Sequence, residues 1–345
     1  MITLVKTLYS LSQQAYYFQQ LKVELPEIAW LHPGHDSVLM GYDFHLTNTG
    51  PKLIEVNNNA GGLWLAWQAH FPESKSFSGK LADQLLQMFQ QEFTLWNKQS
   101  NRSLKNLVIL DEDPQNQFLY SEMQAFADLL QQHGINTFIL DPKELLLRGS
   151  GVYYQNHLID MIYNRHCDFY LETQDLADIR EAWLNQQICL SPNPHTYALL
   201  ADKRRMIDWC QPDHRCLNEL TDQQRQSLHR IIPDTRLLAT ENRNSLWQQR
   251  KQWVFKPVTA YASKGVYLGK KLTTGKFAEL DPEHTLVQTY VEPSNVETEA
   301  GQQFKVDFRL FTYQSQILSI AARIYQGQVT NLRSEGGGFG CVELV

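Results

Sequence analysis

The sequence lacks the features that mark nucleic-acid binding, secretion or membrane insertion. Its formal net charge is −6 over 345 residues, so no basic excess favours nucleic acid or an anionic membrane surface. No stretch approaches the roughly 20 apolar residues that a membrane span needs, and the first residues lack the basic flank and apolar core of a signal peptide. We therefore expect a cytoplasmic protein with no nucleic-acid and no membrane partner.

Cysteine is scarce as well. The chain has an odd number of cysteines and no CxxC pair, which argues against a disulfide framework and against a zinc knuckle. We expect free buried thiols. His32 and His35 flank a Pro-Gly turn, and we interpret them as part of a surface loop rather than as metal ligands. The cysteines are Cys167, Cys189, Cys210, Cys216 and Cys341.

Two common nucleotide-binding motifs are also absent. There is no GxxxxGK[ST] run, and no GxGxxG follows a strand-like segment, so any nucleotide must be held by another architecture. The length predicts two or three packed subdomains and leaves room for a cleft.

The hydrophobic pattern divides the chain into three parts. Residues 1–103 contain two helical stretches around a predicted hairpin at 36–62, in which VLMGYDFHL and KLIEVN are the strands. Residues 104–190 alternate strand, helix and strand, which predicts an α/β domain. Residues 191–345 contain further strand-like runs, including WVFKP, LVQTYVE, KVDFRLFTY and ILSIAARIY. The expected fold class is therefore α/β or α+β.

Two lysines are candidate phosphate ligands. Lys256 lies on the apolar strand VFKP, just before a loop whose small residues, with Ser263 and Gly265, would let backbone amides wrap phosphates. Lys203 opens a predicted helix about fifty residues earlier. The alternative for Lys256 is a lysine whose ammonium reaches solvent from the end of a strand.

The segment LVQTYVEP is a strand that runs into a bend. Backbone groups of Tyr290 and Val291 could read the edge of a base, and Glu292 could reach ribose hydroxyls. A plain buried strand with an exposed glutamate explains the same pattern.

Charged residues also occur within two long apolar strands. The period of two places Asp307 and Arg309 on one face of KVDFRLFTY, and Arg323 interrupts ILSIAARIY. Buried arginines usually meet an anion.

Oxygen ligands converge in the hairpin. Asp43 lies on its first strand, and Glu55 and Asn57 lie two residues apart on its second. Magnesium takes few protein oxygens and completes its shell with water and phosphate, so this trio is a candidate magnesium site. A polar-faced edge hairpin is the alternative.

Taken in cyclic order, from Lys203 and Lys256 through Asp307, Arg309 and Arg323 and then back to the hairpin near the start of the sequence, the residues resemble the ATP-grasp superfamily. GYDFHL and KLIEVNNNAGG resemble the metal-binding strand pair that normally ends such a domain, whereas the C-terminal strands resemble the stretch that precedes it. The chain is thus similar to circularly permuted ATP-grasp proteins such as eukaryotic-type glutathione synthetase and, more loosely, glutathionylspermidine synthetase. The resemblance implies a permuted ATP-grasp domain at 191–345, preceded by an α/β domain at 104–190.

The resemblance also implies roles for particular residues, with ATP and Mg²⁺ as cofactors. Lys203 and Lys256 would contact the phosphates and the adenine end, together with the loop of Ser263 and Gly265. The resemblance further implies that Gln288, Tyr290 and Val291 contact the adenine base and that Glu292 contacts the ribose. It implies catalytic roles for Asp307, Arg309 and Arg323, and a position near the acceptor substrate for Asn331 and Arg333. Magnesium would be bound by Asp43, Glu55 and Asn57.

The implied activity is an ATP-dependent ligase that joins a carboxylate to an amine or thiol through an acyl phosphate. Its substrates would be small molecules or peptides, and a homodimer is compatible with it. Residues 164–172, SPNPH and the first 35 residues are expected to line the acceptor side. Two alternatives stay open: a nucleotide-binding regulator without catalysis, and a kinase that phosphorylates a small alcohol.

Overall fold

The chain is described by a computed structural model. It describes residues 1–98, 102–259, 265–298, 301–327, 330, 336–340 and 342. Three predicted site residues, Ser263, Asn331 and Arg333, lie outside these ranges. The described part has a mixed α/β fold with several sheets, which confirms the fold class expected from the sequence.

Strands occur along the whole described chain. In order they are β1 (Met40–Thr47), β2 (Gly50–Asn57), β3 (Asn106–Leu110), β4 (Asn136–Leu140), β5 (Leu146–Arg148), β6 (Gly151–Tyr154), β7 (His157–Leu158), β8 (Met161–Asn164), β9 (Cys189–Ser191), β10 (Thr235–Leu237), β11 (Trp253–Pro257), β12 (Tyr267–Leu268), β13 (Thr285–Thr289), β14 (Ser294–Glu297), β15 (Gln303–Tyr313), β16 (Gln316–Tyr325) and β17 (Gly338–Gly340).

Helices pack around these strands. They are α1 (Ile2–Ser12), α2 (Ala15–Leu21), α3 (Leu63–His70), α4 (Gly79–Trp96), α5 (Tyr120–Gln132), α6 (Ala177–Leu184), α7 (Pro194–Thr196), α8 (Arg205–Cys210), α9 (Asp222–Ile231), α10 (Arg243–Gln248) and α11 (Thr274–Glu279). The long helix expected at 76–98 is α4, and the helical spacing of the first residues gives α1 and α2. Among the described helices, none is long and apolar enough to cross a membrane.

The first sheet joins the two ends of the sequence. Its strand order is β17, β16, β15, β1, β2, and β14 also pairs with β15. β1 runs antiparallel to β15, with Asp43 opposite Arg309. We call this the joined sheet, because an N-terminal hairpin extends a set of C-terminal strands.

A β-bulge sets the faces of the hairpin. Asp43 pairs with Glu55 but the next residue, Phe44, pairs with Leu53, so Ile54 is the extra residue. Because side chains alternate along a strand, this extra residue places Leu53 and Glu55 on opposite faces. Leu53 and Phe44 are fully buried in the core, whereas Glu55 lies on the face of Asp43.

The second sheet is antiparallel, with the order β10, β13, β11, β12. Phe255 and Val287 fill its core together with Phe277 from α11. Lys256 and Gln288 occupy the alternate positions of β11 and β13 and therefore lie on the opposite face.

The third sheet is parallel, with the order β4, β3, β8, β9. Strand β3 is buried on both faces: Leu107 and Ile109 belong to one hydrophobic cluster, and Val108 and Leu110 to another. A continuous apolar run is typical of such a covered parallel strand. The short antiparallel sheet of β5, β6 and β7 is an insertion that the sequence pattern did not predict.

Residues 32–35 were expected to form a surface loop, and only part of this segment is exposed. His32 is exposed, but His35 is buried, with its Nδ1 atom 2.8 Å from the fully buried carboxylate of Glu92. The surface-loop prediction is therefore wrong for His35, because α4 supplies a partner that local sequence does not reveal. Cys167, Cys189, Cys210 and Cys216 are free thiols, all buried except the half-buried Cys167.

Candidate active site

A cleft of about 830 Å³ is lined by residues of the joined and antiparallel sheets and by residues that follow the parallel strands β3 and β8. It contains most of the residues that the sequence singled out. Gly265 and Glu292 are described but do not line it, and Glu292 is exposed. The predicted residues that line it are Asp43, Glu55, Asn57, Lys203, Lys256, Gln288, Tyr290, Val291, Asp307, Arg309 and Arg323.

Asp43 is the most heavily bonded of these residues. Arg309 donates two hydrogen bonds of 2.7 Å to its carboxylate, one from Nε and one from Nη2. Arg323 Nη2 donates another at 2.8 Å, and Asn57 Nδ2 donates a fourth at 3.1 Å. Burial alone would raise the pKa of Asp43, but the two guanidinium groups outweigh it and lower the pKa to about 2.

A second carboxylate shares one of these arginines. Arg323 Nε donates to Asp307, and Thr330 Oγ1 donates to the same carboxylate at 2.6 Å. Burial alone would lower the pKa of Arg323, but Asp43 and Asp307 outweigh it and raise the pKa. The result is a buried row of alternating charges across β1, β15 and β16.

Glu55 and Asn57 present oxygens to the cleft beside this row. No described residue donates a hydrogen bond to the Glu55 carboxylate. Because Asn57 donates Nδ2 to Asp43, its amide oxygen is the acceptor left for a ligand. Within the described ranges, no cluster of three His, Cys, Asp or Glu side chains could hold a metal ion. The Glu55 and Asn57 oxygens nevertheless fit a hard cation that takes few protein ligands.

Lys256 faces these oxygens from the antiparallel sheet. Its Nζ atom donates to the carbonyl of Ile54 at 3.0 Å and to Gln288 Oε1 at 2.7 Å. Gln288 in turn donates Nε2 to Thr235 Oγ1 at 3.1 Å, so both ends of its amide are occupied. Burial and the charge of Lys203 lower the pKa of Lys256 to about 8, although Glu55 acts in the opposite direction.

Lys203 reaches the cleft from a rigid turn. The buried carboxylate of Asp202 accepts a hydrogen bond from the backbone N–H of Arg204 at 3.0 Å and another from its Nε at 2.9 Å. Tyr170 donates its hydroxyl to the same carboxylate at 2.8 Å. These bonds stabilise the turn just before α8, where the sequence had placed the start of a helix.

The linker, residues 290–293 between β13 and β14, borders the cleft through Tyr290, Val291 and Pro293. Tyr290 N–H donates to the carbonyl of Gln252 at 2.7 Å. The Val291 carbonyl accepts from His45 Nδ1 at 2.9 Å. His45 itself lines the cleft, although sequence reasoning did not select it.

At its other end the cleft reaches the carboxyl ends of β3 and β8, where ligands bind in many parallel sheets. Asp111 and Arg165 follow these strands. Burial raises the pKa of Asp111 to about 6, even though Arg165 opposes the shift. Asp111 is not among the site residues predicted from the sequence, although an aspartate directly after the apolar run LVIL is a usable signal.

Arg165 and Glu122 hold the loop that follows the hairpin. Arg165 donates Nη1 to the carbonyl of Ala60 at 3.3 Å and pairs through Nη2 with Glu122, also at 3.3 Å. The Glu122 carboxylate accepts the backbone N–H groups of Gly62 and Trp64 at 2.8 and 2.9 Å. Gly62 has a φ of +98°, and a Cβ there would lie 2.1 Å from the ring of Phe339, so glycine is required.

The expected acceptor-side segments contribute unequally. Arg165, Cys167 and Phe169 line the cleft, and Phe169 stacks on Tyr197 with ring centroids 4.4 Å apart. None of residues 1–35 or 191–195 lines it. The first 35 residues instead pack into the core, as shown by the buried Leu4, Val5 and Leu8.

The chain is similar in fold to solved protein structures. No protein-family model matches the chain, and a search of curated proteins returns no match. Among solved structures, the chain resembles a Methylobacillus flagellatus KT protein provisionally named a gamma-glutamylcysteine synthetase, with a TM-score of 0.56 and 11% sequence identity. The match covers 97% of this chain and 85% of that one. At this identity it shows a shared fold.

Proposed function

We propose that this protein is an ATP-dependent ligase that joins a carboxylate to an amine, or to a thiol, through an acyl phosphate. One observation carries the proposal: cations and hard oxygen ligands from separate elements line the same cleft. Lys256 lies on the antiparallel sheet and Lys203 in the turn before α8, whereas Arg309, Glu55 and Asn57 lie on the joined sheet. Catalysis of phosphoryl transfer depends mainly on such positioning and charge neutralisation.

We also propose that the fold is a circularly permuted ATP-grasp fold. In support of this, the N-terminal hairpin of β1 and β2 pairs with the C-terminal strand β15 in one sheet. In the unpermuted order, this strand pair would come after β17 in the sequence. The antiparallel sheet supplies the other side of the cleft. The proposed domains are 1–103, 104–190 and 191–345, with the parallel sheet in the second except for Ser191, the last residue of β9.

The nucleotide is proposed to lie along the cleft with its base against the linker. Backbone groups of Tyr290 and Val291 would meet the base edge, and Lys203 and Lys256 would bind the phosphates. Gln288 contributes by fixing Lys256, since the oxygen and the nitrogen of its side-chain amide each make a hydrogen bond to protein.

Glu55 and Asn57 are proposed to hold magnesium, which would neutralise phosphate charge when bound there. Asp43 differs from them because guanidinium donors occupy its carboxylate. It could serve as a third ligand only if phosphates draw Arg309 and Arg323 away from it. Until then Asp43 holds both arginines at the edge of the cleft.

The proposed reaction has two balanced steps. A substrate carboxylate oxygen attacks the γ-phosphorus of ATP, the bond to the bridging oxygen breaks, and ADP leaves. The amine nitrogen then attacks the acyl carbon, the carbon–oxygen bond to phosphate breaks, and the amine loses a proton. Arg309 and Arg323 would stabilise the charge on the transferred group. The end of the cleft with Asp111, Phe169 and Tyr197 is the proposed place for the small-molecule or peptide substrates.

A hydroxylamine trap tests this mechanism without knowledge of the amine. The protein is incubated with magnesium, ATP, hydroxylamine and a panel of carboxylic acids. An acyl phosphate would be captured as a hydroxamate, with one ADP and one free phosphate released per hydroxamate. Glu55→Gln protein is the matched control, and its formation of hydroxamate, ADP and phosphate should fall by about 100-fold or more.

The alternatives predict other products. A kinase would release ADP while phosphate stays covalently attached to an alcohol substrate. A nucleotide-binding regulator would show a shift in thermal unfolding with ATP but no ADP under any substrate combination. Either result would contradict the ligase proposal.

A further inference from the structure

His45 is a cleft residue that neither the sequence motifs nor the proposed roles account for. It lies on β1 two residues after Asp43, so the two side chains share the face toward the cleft. Its Nδ1 atom is 2.9 Å from the carbonyl oxygen of Val291. A carbonyl oxygen only accepts, so Nδ1 carries the hydrogen and donates it.

This bond leaves one ring nitrogen for a ligand. His45 lines the cleft, and no described residue bonds to its Nε2 atom. The ring is also held in place, because the donation to Val291 ties β1 to the linker, and both residues line the cleft. A fixed polar atom at a cleft wall is the arrangement that gives a binding site its specificity.

The position of the ring along the cleft is what identifies its ligand. On one side it contacts the linker, where the base is proposed to lie. On the other side it lies two residues along β1 from Asp43 and on the same face. Asp43 pairs with Arg309 and Arg323, and these residues border the proposed phosphate site. In every nucleoside triphosphate the sugar connects the base to the phosphates, so the sugar must pass His45.

We propose that His45 Nε2 forms a hydrogen bond with a ribose hydroxyl and thereby selects ribonucleotides over deoxyribonucleotides. This inference rests on the proposed nucleotide site. It assigns to His45 the ribose contact that the family resemblance implied for Glu292, because Glu292 is exposed and does not line the cleft. A hydroxyl both donates and accepts, so the contact forms whichever role Nε2 takes.

The test compares nucleotides within each variant. Affinities for ATP, 2′-deoxyATP and 3′-deoxyATP are measured by calorimetry with magnesium, on wild-type protein and on His45→Phe. Phenylalanine supplies an aromatic ring that has no nitrogen and so cannot form the hydrogen bond. A single hydrogen bond of ordinary strength corresponds to a preference of roughly threefold to tenfold. Wild type should show this preference for ATP over one of the deoxy analogues, and His45→Phe should bind that analogue and ATP equally.

Because each preference is a ratio within one protein, a general loss of stability in the variant cancels. Glu292→Gln is the matched control and should keep the full wild-type preference. His45→Gln, whose amide both donates and accepts, should recover part of the preference.

Two outcomes would overturn the inference while leaving the proposed function intact: an unchanged preference in His45→Phe, or loss of the preference in Glu292→Gln. Wild-type protein that binds no ATP would overturn both the inference and the proposed function.

Discussion

Arg309 donates two hydrogen bonds of 2.7 Å to the carboxylate of Asp43, although the two residues are 266 positions apart in the sequence. The pair is buried, with side-chain exposures of 9% and 1%. Arg323 joins it at 2.8 Å. The first strand of the chain is thereby fastened to two of its last strands, and the same side chains border the proposed phosphate site.

This connection predicts a large stability effect. Asp43→Asn leaves two buried guanidinium groups without their shared carboxylate, and breaking a buried ion pair typically costs about 3–5 kcal/mol. We expect a loss of about that size in the free energy of unfolding, measured by urea denaturation. The control is Asp234→Asn, which breaks the exposed pair with Arg236 and should cost less than about 1 kcal/mol. Equal losses in the two variants would show that Asp43 is not a structural anchor.

Substitution of Glu55 should lower turnover and leave the stability of the protein almost unchanged. No described residue donates a hydrogen bond to its carboxylate, so Glu55→Gln should leave the thermal unfolding temperature almost unchanged. If the carboxylate binds magnesium, turnover should fall by about 100-fold or more, the scale seen when an electrostatic catalytic group is lost. ADP formation in the hydroxylamine trap is the measurement. A fully active Glu55→Gln or Glu55→Ala protein would remove Glu55 from the site.

Lys256 predicts a pH dependence of ATP binding. Burial and Lys203 lower its pKa to about 8, and only the charged ammonium attracts phosphate. The charged fraction therefore falls as the pH rises through 8, and the dissociation constant for ATP should increase by up to about tenfold per pH unit above it. Calorimetry from pH 7 to 9.5 checks this, with Lys256→Met as a weakly binding, pH-insensitive control. A constant affinity for wild type would argue against contact between Lys256 and phosphate.

Asp111 predicts a pH dependence of stability. Its folded pKa of about 6, raised by burial, exceeds the ordinary value of 3.8, so between these values the folded state binds more protons than the unfolded state. The free energy of unfolding should therefore decrease as the pH rises from about 4 to 6 and level off above that. Asp111→Asn should remove this decrease and be more stable than wild type at pH 7, by on the order of 2–3 kcal/mol.

Denaturation at a series of pH values provides the comparison. Asp128→Asn, on the exposed side of α5, should give a curve parallel to that of wild type. An Asp111→Asn curve that also runs parallel to wild type would contradict the assignment.

The alternation of apolar and polar residues along the strands predicted many of the side chains that line the cleft. The alternation in KVDFRLFTY placed Asp307 and Arg309 on one face, and both line the cleft, as does Arg323 from the neighbouring strand. Lys256 stood out because a lysine in an apolar strand needs partners, and it has them in Ile54 and Gln288. These inferences depend only on strand geometry, which short sequences determine well.

Features that depend on distant pairing were not predictable in this way. The bulge at Ile54, which separates the faces of Leu53 and Glu55, exists only in the register between β1 and β2. His45 acquires its role from a contact with Val291, and His35 is buried by Glu92 on another element. A single sequence contains no local signal for any of these contacts.

We propose that ATP and magnesium bind in the cleft between the joined sheet and the antiparallel sheet. A crystal structure with magnesium and a non-hydrolysable ATP analogue provides the test. We expect phosphates in contact with Lys203 and Lys256, magnesium on the oxygens of Glu55 and Asn57, and the base against Tyr290 and Val291. A nucleotide bound outside this cleft, or in it with its phosphates far from Glu55 and Lys256, would rule out this site.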